Sequence, residues 1–155
     1  GRLCLICLSQ AAEARTLHLD SCSVTVHTHE LRKYFSDIRL DAIAKDNEIG
    51  VKLLDKSLIR DGQTCCFVRL LLRFYVERVF SNYASTEPQL QRSSSALANA
   101  FVIIRRDIHK CVSHMNHCQC KEETQRTIDS IQPAVQKAVG ELGTVLEWLD
   151  QKTHA

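Results

Sequence analysis

The chain has 155 residues, a formal net charge of +2 and 45% hydrophobic residues, enough for one domain with a substantial core. So small a net charge does not favour nucleic acid as the partner, because nucleic-acid-binding domains are usually strongly basic. Five glycines and two prolines are too few for the many turns of an all-β fold, and the lack of an 18-residue apolar run predicts no membrane-spanning segment.

The N-terminal residues have the pattern of a secretory signal. A short apolar run at residues 3–8 precedes Ala12-Glu13-Ala14, a small-x-small triplet of the kind that signal peptidase recognises. We interpret residues 1–14 as the remnant of a signal peptide and residues 15–155 as a single mature domain without Cys4 and Cys7. The alternative is an ordinary N-terminal segment with its own Cys4–Cys7 bridge.

Four stretches repeat apolar residues at the three- and four-residue spacing of an amphipathic helix. The first has Thr28 as its predicted N-cap and shows Leu31, Phe35, Ile38 and Ala42 on one face. The others cover about residues 64–83, residues 86–111 and the region after residue 120, where a proline at 133 bends the helix or marks its start. Residues 24–26 are too short for a strand and lack a partner, so the sequence predicts an all-α bundle.

Six cysteines follow residue 14, and their spacing limits how they can pair: Cys22, Cys65, Cys66, Cys111, Cys118 and Cys120. Adjacent cysteines rarely bridge each other, because a disulfide requires a specific separation and dihedral angle. The economical arrangement joins the 65/66 pair to the 118/120 pair by two bridges and leaves the remaining two cysteines for each other. Three disulfides predict an oxidising compartment.

Residues 109–120 concentrate possible zinc ligands: His109, Cys111, His114, His117, Cys118 and Cys120. The mature chain lacks the usual Cys-x2-Cys pair, and disulfides compete for the thiols, so we predict no metal and no cofactor. No nucleophile, phosphate-loop or metalloprotease motif occurs, which argues against an enzyme. Basic residues cluster as Arg69/Arg73 and as Arg105-Arg106 with Lys110. A basic patch of this kind could contact heparin-like sugars, although it is more often a solvated helix face.

The helix order and the cysteine pattern together indicate a known family. The residues that carry the likeness are Cys22, Phe35-Ser36-Asp37-Ile38-Arg39, Cys65-Cys66, residues 71–80, residues 94–101, Cys111, Cys118-Gln119-Cys120-Lys121-Glu122-Glu123, residues 137–142 and Trp148. The chain resembles the interleukin-10 family of class II helical cytokines, in particular its interleukin-19, -20 and -24 subgroup, from about residue 19 to residue 151.

The resemblance implies a compact, monomeric, all-α bundle of about six to seven helices with the pairs Cys22–Cys111, Cys65–Cys118 and Cys66–Cys120. It also implies a secreted ligand that joins two class II cytokine receptor chains, an interleukin-20-receptor-like heterodimer, and triggers kinase and transcription-factor signalling. The competing hypothesis is a secreted helical carrier or binding module without receptor activity.

The resemblance also implies two receptor-binding faces. The first predicted face combines the loop after the first helix with the last helix: Lys45, Asp46, Lys137, Glu141, Thr144 and Glu147. The second combines the first helix with the long third helix: Arg32, Lys33, Arg92, Asn99 and Arg106. The alternative interpretation of each residue is a solvated polar side chain. Two departures from the family pattern are a shortened stretch between Cys120 and Gly140 and a glycine at 143, where subgroup members carry an acidic residue.

Overall fold

The computed structural model of the chain describes residues 14–20, 22–46, 50–83, 87–115 and 118–150, with the side chains of residues 112–115 left out. These residues form a β-hairpin and six α-helices: β1 (Ala14–Leu19), β2 (Cys22–His27), α1 (Thr28–Ala44), α2 (Thr64–Phe74), α3 (Pro88–Met115), α4 (Glu122–Ile131), α5 (Val135–Gly140) and α6 (Leu142–Leu149). A 3-10 turn, Lys56–Leu58, lies between α1 and α2, and α2 continues through a π-helical segment, Tyr75–Val79, and a 3-10 turn, Phe80–Asn82.

The chain is mainly helical, as predicted, but the hairpin corrects the prediction that residues 24–26 do not form a strand. β1 and β2 pair antiparallel, with Leu19 opposite Cys22 and Ala14 opposite His27. Alternate side chains of both strands are buried, including Leu17 and Val24, which is the period of two expected of a half-buried strand. The sequence prediction found no partner strand for residues 24–26, and that partner is β1, the segment just upstream. The connection between the two strands includes Asp20, whose positive φ of 58° suits a tight turn.

The first three predicted helices are present, and their apolar faces form the core. α1 begins at Thr28 with His27 as its N-cap, one residue earlier than predicted, and it buries Leu31, Ile38 and Ala42. Phe35 is only half-buried. Rings from α2, α3 and α6 fill the centre, with Phe67 and Trp148 6.2 Å apart and Tyr75 and Phe101 6.1 Å apart. The predicted core position of Trp148 is therefore correct.

The fourth predicted helix is divided into α4, α5 and α6. Pro133 cannot donate a backbone hydrogen bond, and it lies in the turn between α4 and α5, which ends at Ala134 with φ −94° and ψ 50°. A second break falls at Glu141, with φ −103° and ψ 16°, directly after Gly140. Because each break changes the direction of the chain, one continuous helical periodicity does not describe which side chains are exposed.

The three predicted disulfides are present. Cys22–Cys111, Cys65–Cys118 and Cys66–Cys120 have Cα atoms 5.9, 4.9 and 5.2 Å apart. They join β2 to α3 and the start of α2 to the segment before α4. Three of the six candidate zinc ligands are therefore consumed as disulfides and cannot bind a metal as thiolates; His117 lies outside the described residues.

Buried Gln63, the residue before α2, connects the same region without a covalent bond. Its Oε1 accepts hydrogen bonds from the Lys121 backbone N–H, at 2.9 Å, and from the Thr124 hydroxyl, at 2.7 Å. Its Nε2 donates to the Gln119 carbonyl oxygen at 3.0 Å. The side chain therefore satisfies both donors and acceptors of the polar segment that carries two of the cysteines.

Candidate functional site

The first candidate surface is a groove between α1, the segment after α1, and helices α5 and α6. It has a volume of about 480 Å³, and we call it the α1/α6 groove. Four residues predicted for the first face line it: Asp46, Glu141, Thr144 and Glu147. Gly143 also lines it, and a Cβ there would lie 3.3 Å from Phe35 Cζ, so the departure from the family's acidic residue coincides with close packing against α1.

A buried ion-pair cluster forms the inner wall of this groove. Lys137 Nζ lies 3.2 Å from Asp46 Oδ1 and 3.2 Å from Glu141 Oε2, although the two carboxylates are 95 residues apart in sequence. Burial by itself lowers the pKa of Lys137, but the hydrogen bonds to Glu141 and Asp46 outweigh it and the pKa is raised above 10.5. The cluster therefore keeps a positive charge between two carboxylates at neutral pH.

Glu141 extends this cluster to the backbone of the segment before the 3-10 turn. Its Oε2 accepts a hydrogen bond from the Leu53 N–H at 2.7 Å, and its Oε1 accepts one from the Leu54 N–H at 2.8 Å. One carboxylate thereby satisfies two backbone donors and a lysine. The segment that follows α1 is fixed to α5 and α6 by these contacts.

Two predicted first-face residues need correction, because Lys137 and Glu141 are 6% and 8% exposed and do not present their side chains to a partner. The periodicity of one continuous helix placed Lys137 opposite the apolar stripe and Glu141 beside the opposite positions. The breaks that separate α4, α5 and α6 invalidate that phase. Lys45 is also outside the groove: its Nζ lies 3.8 Å from Asp41 and 5.5 Å from the centre of the Tyr83 ring. Exposed Glu147 and half-buried Thr144 remain at the groove surface.

Large exposed aliphatic side chains lie on α1 and on the segment after it, and sequence reasoning missed them. Leu40 is 77% exposed, Val51 is 55% exposed and Ile43 is 39% exposed. Ile43 and Val51 line the groove itself. The available signal was that Leu40 and Ile43 fall off the apolar stripe of α1, where a hydrophobic residue has no core to fill.

The second candidate surface is a shallow groove between α1 and the first half of α3, which we call the α1/α3 groove. It is lined by Tyr34, Pro88, Gln91, Arg92, Ser95, Ala96 and Asn99. Lys33 Nζ lies 5.7 Å from the centre of the Tyr34 ring. Beneath the groove the Ser93 hydroxyl donates to Asp37 Oδ2 at 2.6 Å, which joins α3 to α1.

The structure does not bring all of the predicted second face together. Arg32 lines the α1/α6 groove, and its Nη1 lies 3.8 Å from Asp150 Oδ2. Arg106 lies with Arg69 and Arg105 in a different groove. Arg92 and Arg106 are 14 residues apart in sequence on α3, about 21 Å along the helix axis, which separates them although they point in similar directions.

The hairpin, the six helices and the three disulfides define the class of disulfide-bridged helical cytokines. Mouse interleukin-20 is 40% identical over 88% of this chain and 85% of its own length, and human interleukin-19 is 28% identical over 88% and 83%. Human interleukin-24 is 27% identical over 90% of this chain and 75% of its own length. The chain belongs to the interleukin-10 family, in the interleukin-19/20/24 subgroup.

The structural comparison agrees with this assignment. A crystal structure of human interleukin-19 matches with a TM-score of 0.68 and 27% sequence identity, covering 80% of this chain and 87% of that one. No protein-family model matches the chain. The sequence-based family prediction is therefore confirmed by relatives and by fold.

Membership of the family gives the function in its general form: the protein is a cytokine, and cytokine receptors are its class of partner. Its relatives are cytokines, not enzymes. Within the described ranges, the helices are too short or too polar to span a membrane.

Proposed function

We propose that the protein is secreted and acts as a monomer that joins two different class II cytokine receptor chains. One chain of an interleukin-20-receptor-like heterodimer binds the α1/α6 groove, and the other binds the α1/α3 groove. Bringing the two chains together on one ligand starts kinase and transcription-factor signalling inside the target cell.

The observation that carries this proposal is the position of two separate grooves along one helix. Phe35, Arg39 and Ile43 of α1 line the α1/α6 groove, whereas Tyr34 lines the α1/α3 groove. Adjacent residues of an α-helix point about 100° apart, so the two grooves use different faces of α1. Two proteins can therefore contact the same helix at once, as a ligand that joins two chains requires.

Of the two proposed receptor contacts, we assign the one of higher affinity to the α1/α6 groove. The composition of this groove supports the assignment. Exposed aliphatic side chains beside a groove are the usual centre of a protein interface, and a polar rim surrounds such a centre. Ile43 and Val51 supply the apolar centre, and Thr144 and Glu147 supply part of the rim. Lys137, Asp46 and Glu141 hold the backbone of this surface in position from inside.

The α1/α3 groove supports a more polar contact with the second chain. Arg92 and Asn99 are exposed on α3, and Tyr34 lines the same groove from α1, with Lys33 Nζ 5.7 Å from the centre of its ring. Arg and Tyr are enriched among residues that dominate binding energy. Arg32 and Arg106 are not part of this proposed contact.

The experiment measures binding of the disulfide-bonded protein to purified class II receptor ectodomains, singly and in pairs, with a signalling reporter cell as the second readout. The variant Ile43→Glu/Val51→Glu should weaken binding of one chain by about 2 kcal/mol, roughly thirtyfold, because it puts charges at the proposed apolar centre. Arg92→Glu/Asn99→Arg should instead weaken binding of the other chain.

The matched control is Ile103→Glu, since Ile103 is 46% exposed on α3 and lines neither groove. It should bind both chains within about twofold of the original protein. Equal losses for all three variants would contradict the two-groove assignment. A folded protein that binds none of the class II chains would contradict the proposed function and support the carrier alternative.

A further inference from the structure

A third groove, between α2 and the second half of α3, is lined by positive charge. It has a volume of about 550 Å³, and we call it the basic groove. Four arginines and a histidine line it together with Leu70 and Val102: Arg69, Arg73, Arg105, Arg106 and His109. Arg69 and Arg73 are one helical turn apart on α2, and Arg105 and His109 are one turn apart on α3, so the donors follow both walls of the groove.

The positive charge of this groove is incompletely compensated by the protein. Arg73 Nε lies 3.3 Å from Glu77 and Arg105 Nη1 lies 3.7 Å from the same carboxylate, so one negative charge serves two arginines. Within the described part of the chain, the buried Nε of Arg69 has no hydrogen-bond partner, and its Nη2 donates only to the weak acceptor Cys120 Sγ at 3.3 Å.

The electrostatics of Arg69 agree with this geometry. Burial lowers the pKa of its guanidinium, and the neighbouring charges of Arg73 and Arg105 lower it further. The charges of three arginines therefore repel one another at close range in a partly desolvated position. An anion in the groove would relieve that repulsion, so the groove is suited to bind a negatively charged ligand.

We propose that the basic groove binds a sulfated polysaccharide of the heparan sulfate type. Planar guanidinium groups form paired, charge-assisted hydrogen bonds with tetrahedral oxyanions, and a linear polyanion can contact donors along both walls. Among the described residues its lining contains no Phe, Tyr or Trp side chain to stack a nucleotide base, which disfavours nucleic acid. Two aliphatic residues are too few for an apolar membrane-binding face, which disfavours a lipid surface.

The basic groove is separate from both proposed receptor contacts. It shares no lining residue with the α1/α6 groove or the α1/α3 groove, and Arg106 lies about 21 Å along α3 from Arg92. A polysaccharide and a receptor chain can therefore bind together, which would hold the cytokine near its source. Retention of the cytokine near its source rests on the proposed secretion. Binding of the polysaccharide to the groove does not depend on it and is measured without any receptor.

The test compares binding of the disulfide-bonded protein and two variants to immobilised heparin at physiological ionic strength. Arg73→Gln/Arg105→Gln/Arg106→Gln removes three groove charges and should weaken binding roughly tenfold or more. Arg39→Gln/Arg92→Gln/Arg126→Gln removes three exposed charges elsewhere and should change it by about twofold at most. Arg69 is left unchanged because its half-buried side chain contacts the Cys66–Cys120 bridge.

Binding that falls with added salt and disappears with chemically desulfated heparin would support the proposal. Equal losses in the two triple variants would overturn it, because the protein would then respond to net charge alone. It would also be overturned by absent heparin binding, or by equally strong, groove-dependent binding to phosphatidylserine vesicles. Receptor binding of the groove variant is measured in parallel, so that failure of this inference and failure of the proposed receptor function remain distinguishable.

Discussion

At the scale of single residues, Gly140 shows why the first face could not be predicted from the sequence alone. A glycine within a predicted helix weakens that helix, but the sequence does not show that the backbone of α5 packs against Asp46 at Gly140. Lys137 and Glu141 are a similar case, because charged residues at the ends of short helices usually face water. Their burial depends on a partner about 90 residues earlier, which local spacing cannot reveal.

Gly140→Ala should destabilise the protein by about 1 to 3 kcal/mol, because the new Cβ would overlap with Asp46 Cβ. Urea unfolding followed by circular dichroism measures this cost. Gly50→Ala is the matched control, since nothing lies within 4 Å of a Cβ there, and its stability should change by less than about 0.5 kcal/mol. Equal stability of the two variants would contradict the close contact between α5 and Asp46.

At the scale of elements, sequence reasoning located helices well where one apolar face persists for several turns. The cores of α1, α2 and α3 follow directly from their spacing. The hairpin was missed although Leu17, Leu19, Cys22, Val24 and Val26 alternate, because each strand is short and its stability depends on covering by the helices. The breaks that separate α4, α5 and α6 depend on packing against α1 and α2, and a single periodic pattern cannot show them.

Two tyrosine hydroxyls join these elements and make the fold sensitive to alkali. Tyr75 donates to the Ala138 carbonyl oxygen at 2.6 Å, linking the α2 extension to α5, and Tyr83 donates to Asp41 of α1. Burial raises the pKa of Tyr75 well above 10.0, with Glu141 adding to the effect. Burial and the hydrogen bond to Asp41 raise the pKa of Tyr83 as well.

Stability should therefore fall as the pH rises above about 10. A group whose pKa is higher in the folded state contributes its full stability below the unfolded value, and it loses that contribution as pH rises towards the folded value. Lys137 acts in the same direction from its ordinary value of 10.5. Chemical unfolding at a series of pH values from about 9 to 11 measures the slope.

Tyr75→Phe/Tyr83→Phe is the control, and it should make this fall shallower. At neutral pH, Tyr75→Phe alone should cost about 1 kcal/mol for the lost buried hydrogen bond. The assignment would be wrong if the double variant lost stability with pH as steeply as the original protein.

At the scale of the whole molecule, the covalent connections were the most predictable feature. Cysteine spacing limited the possibilities, the family resemblance specified the pairs, and the structure agrees with all three. The grooves were less predictable, because they form where separate elements meet. Arg92 and Asn99 lie together as expected, whereas Arg32 and Arg106 belong to other surfaces.

Cys22→Ser should reduce the free energy of unfolding by about 4 to 5 kcal/mol, since that bridge spans a sequence separation of 89 residues. Cys111→Ser and the double variant should each cost the same amount, because all three proteins lose one and the same bridge. Urea unfolding measures the three values. A double variant that costs the sum of the two single losses would show that the cysteines act independently.

The buried Lys137 cluster has a consequence for how this cytokine can diversify. The groove surface that we assign to a receptor chain takes its shape from three charged side chains, of which Lys137 and Glu141 are buried. A substitution at either buried residue would reshape the contact while changing very little of the exposed surface. Relatives could therefore acquire different receptor preferences through changes that a comparison of surface residues would overlook. Engineering of receptor choice should include these buried residues.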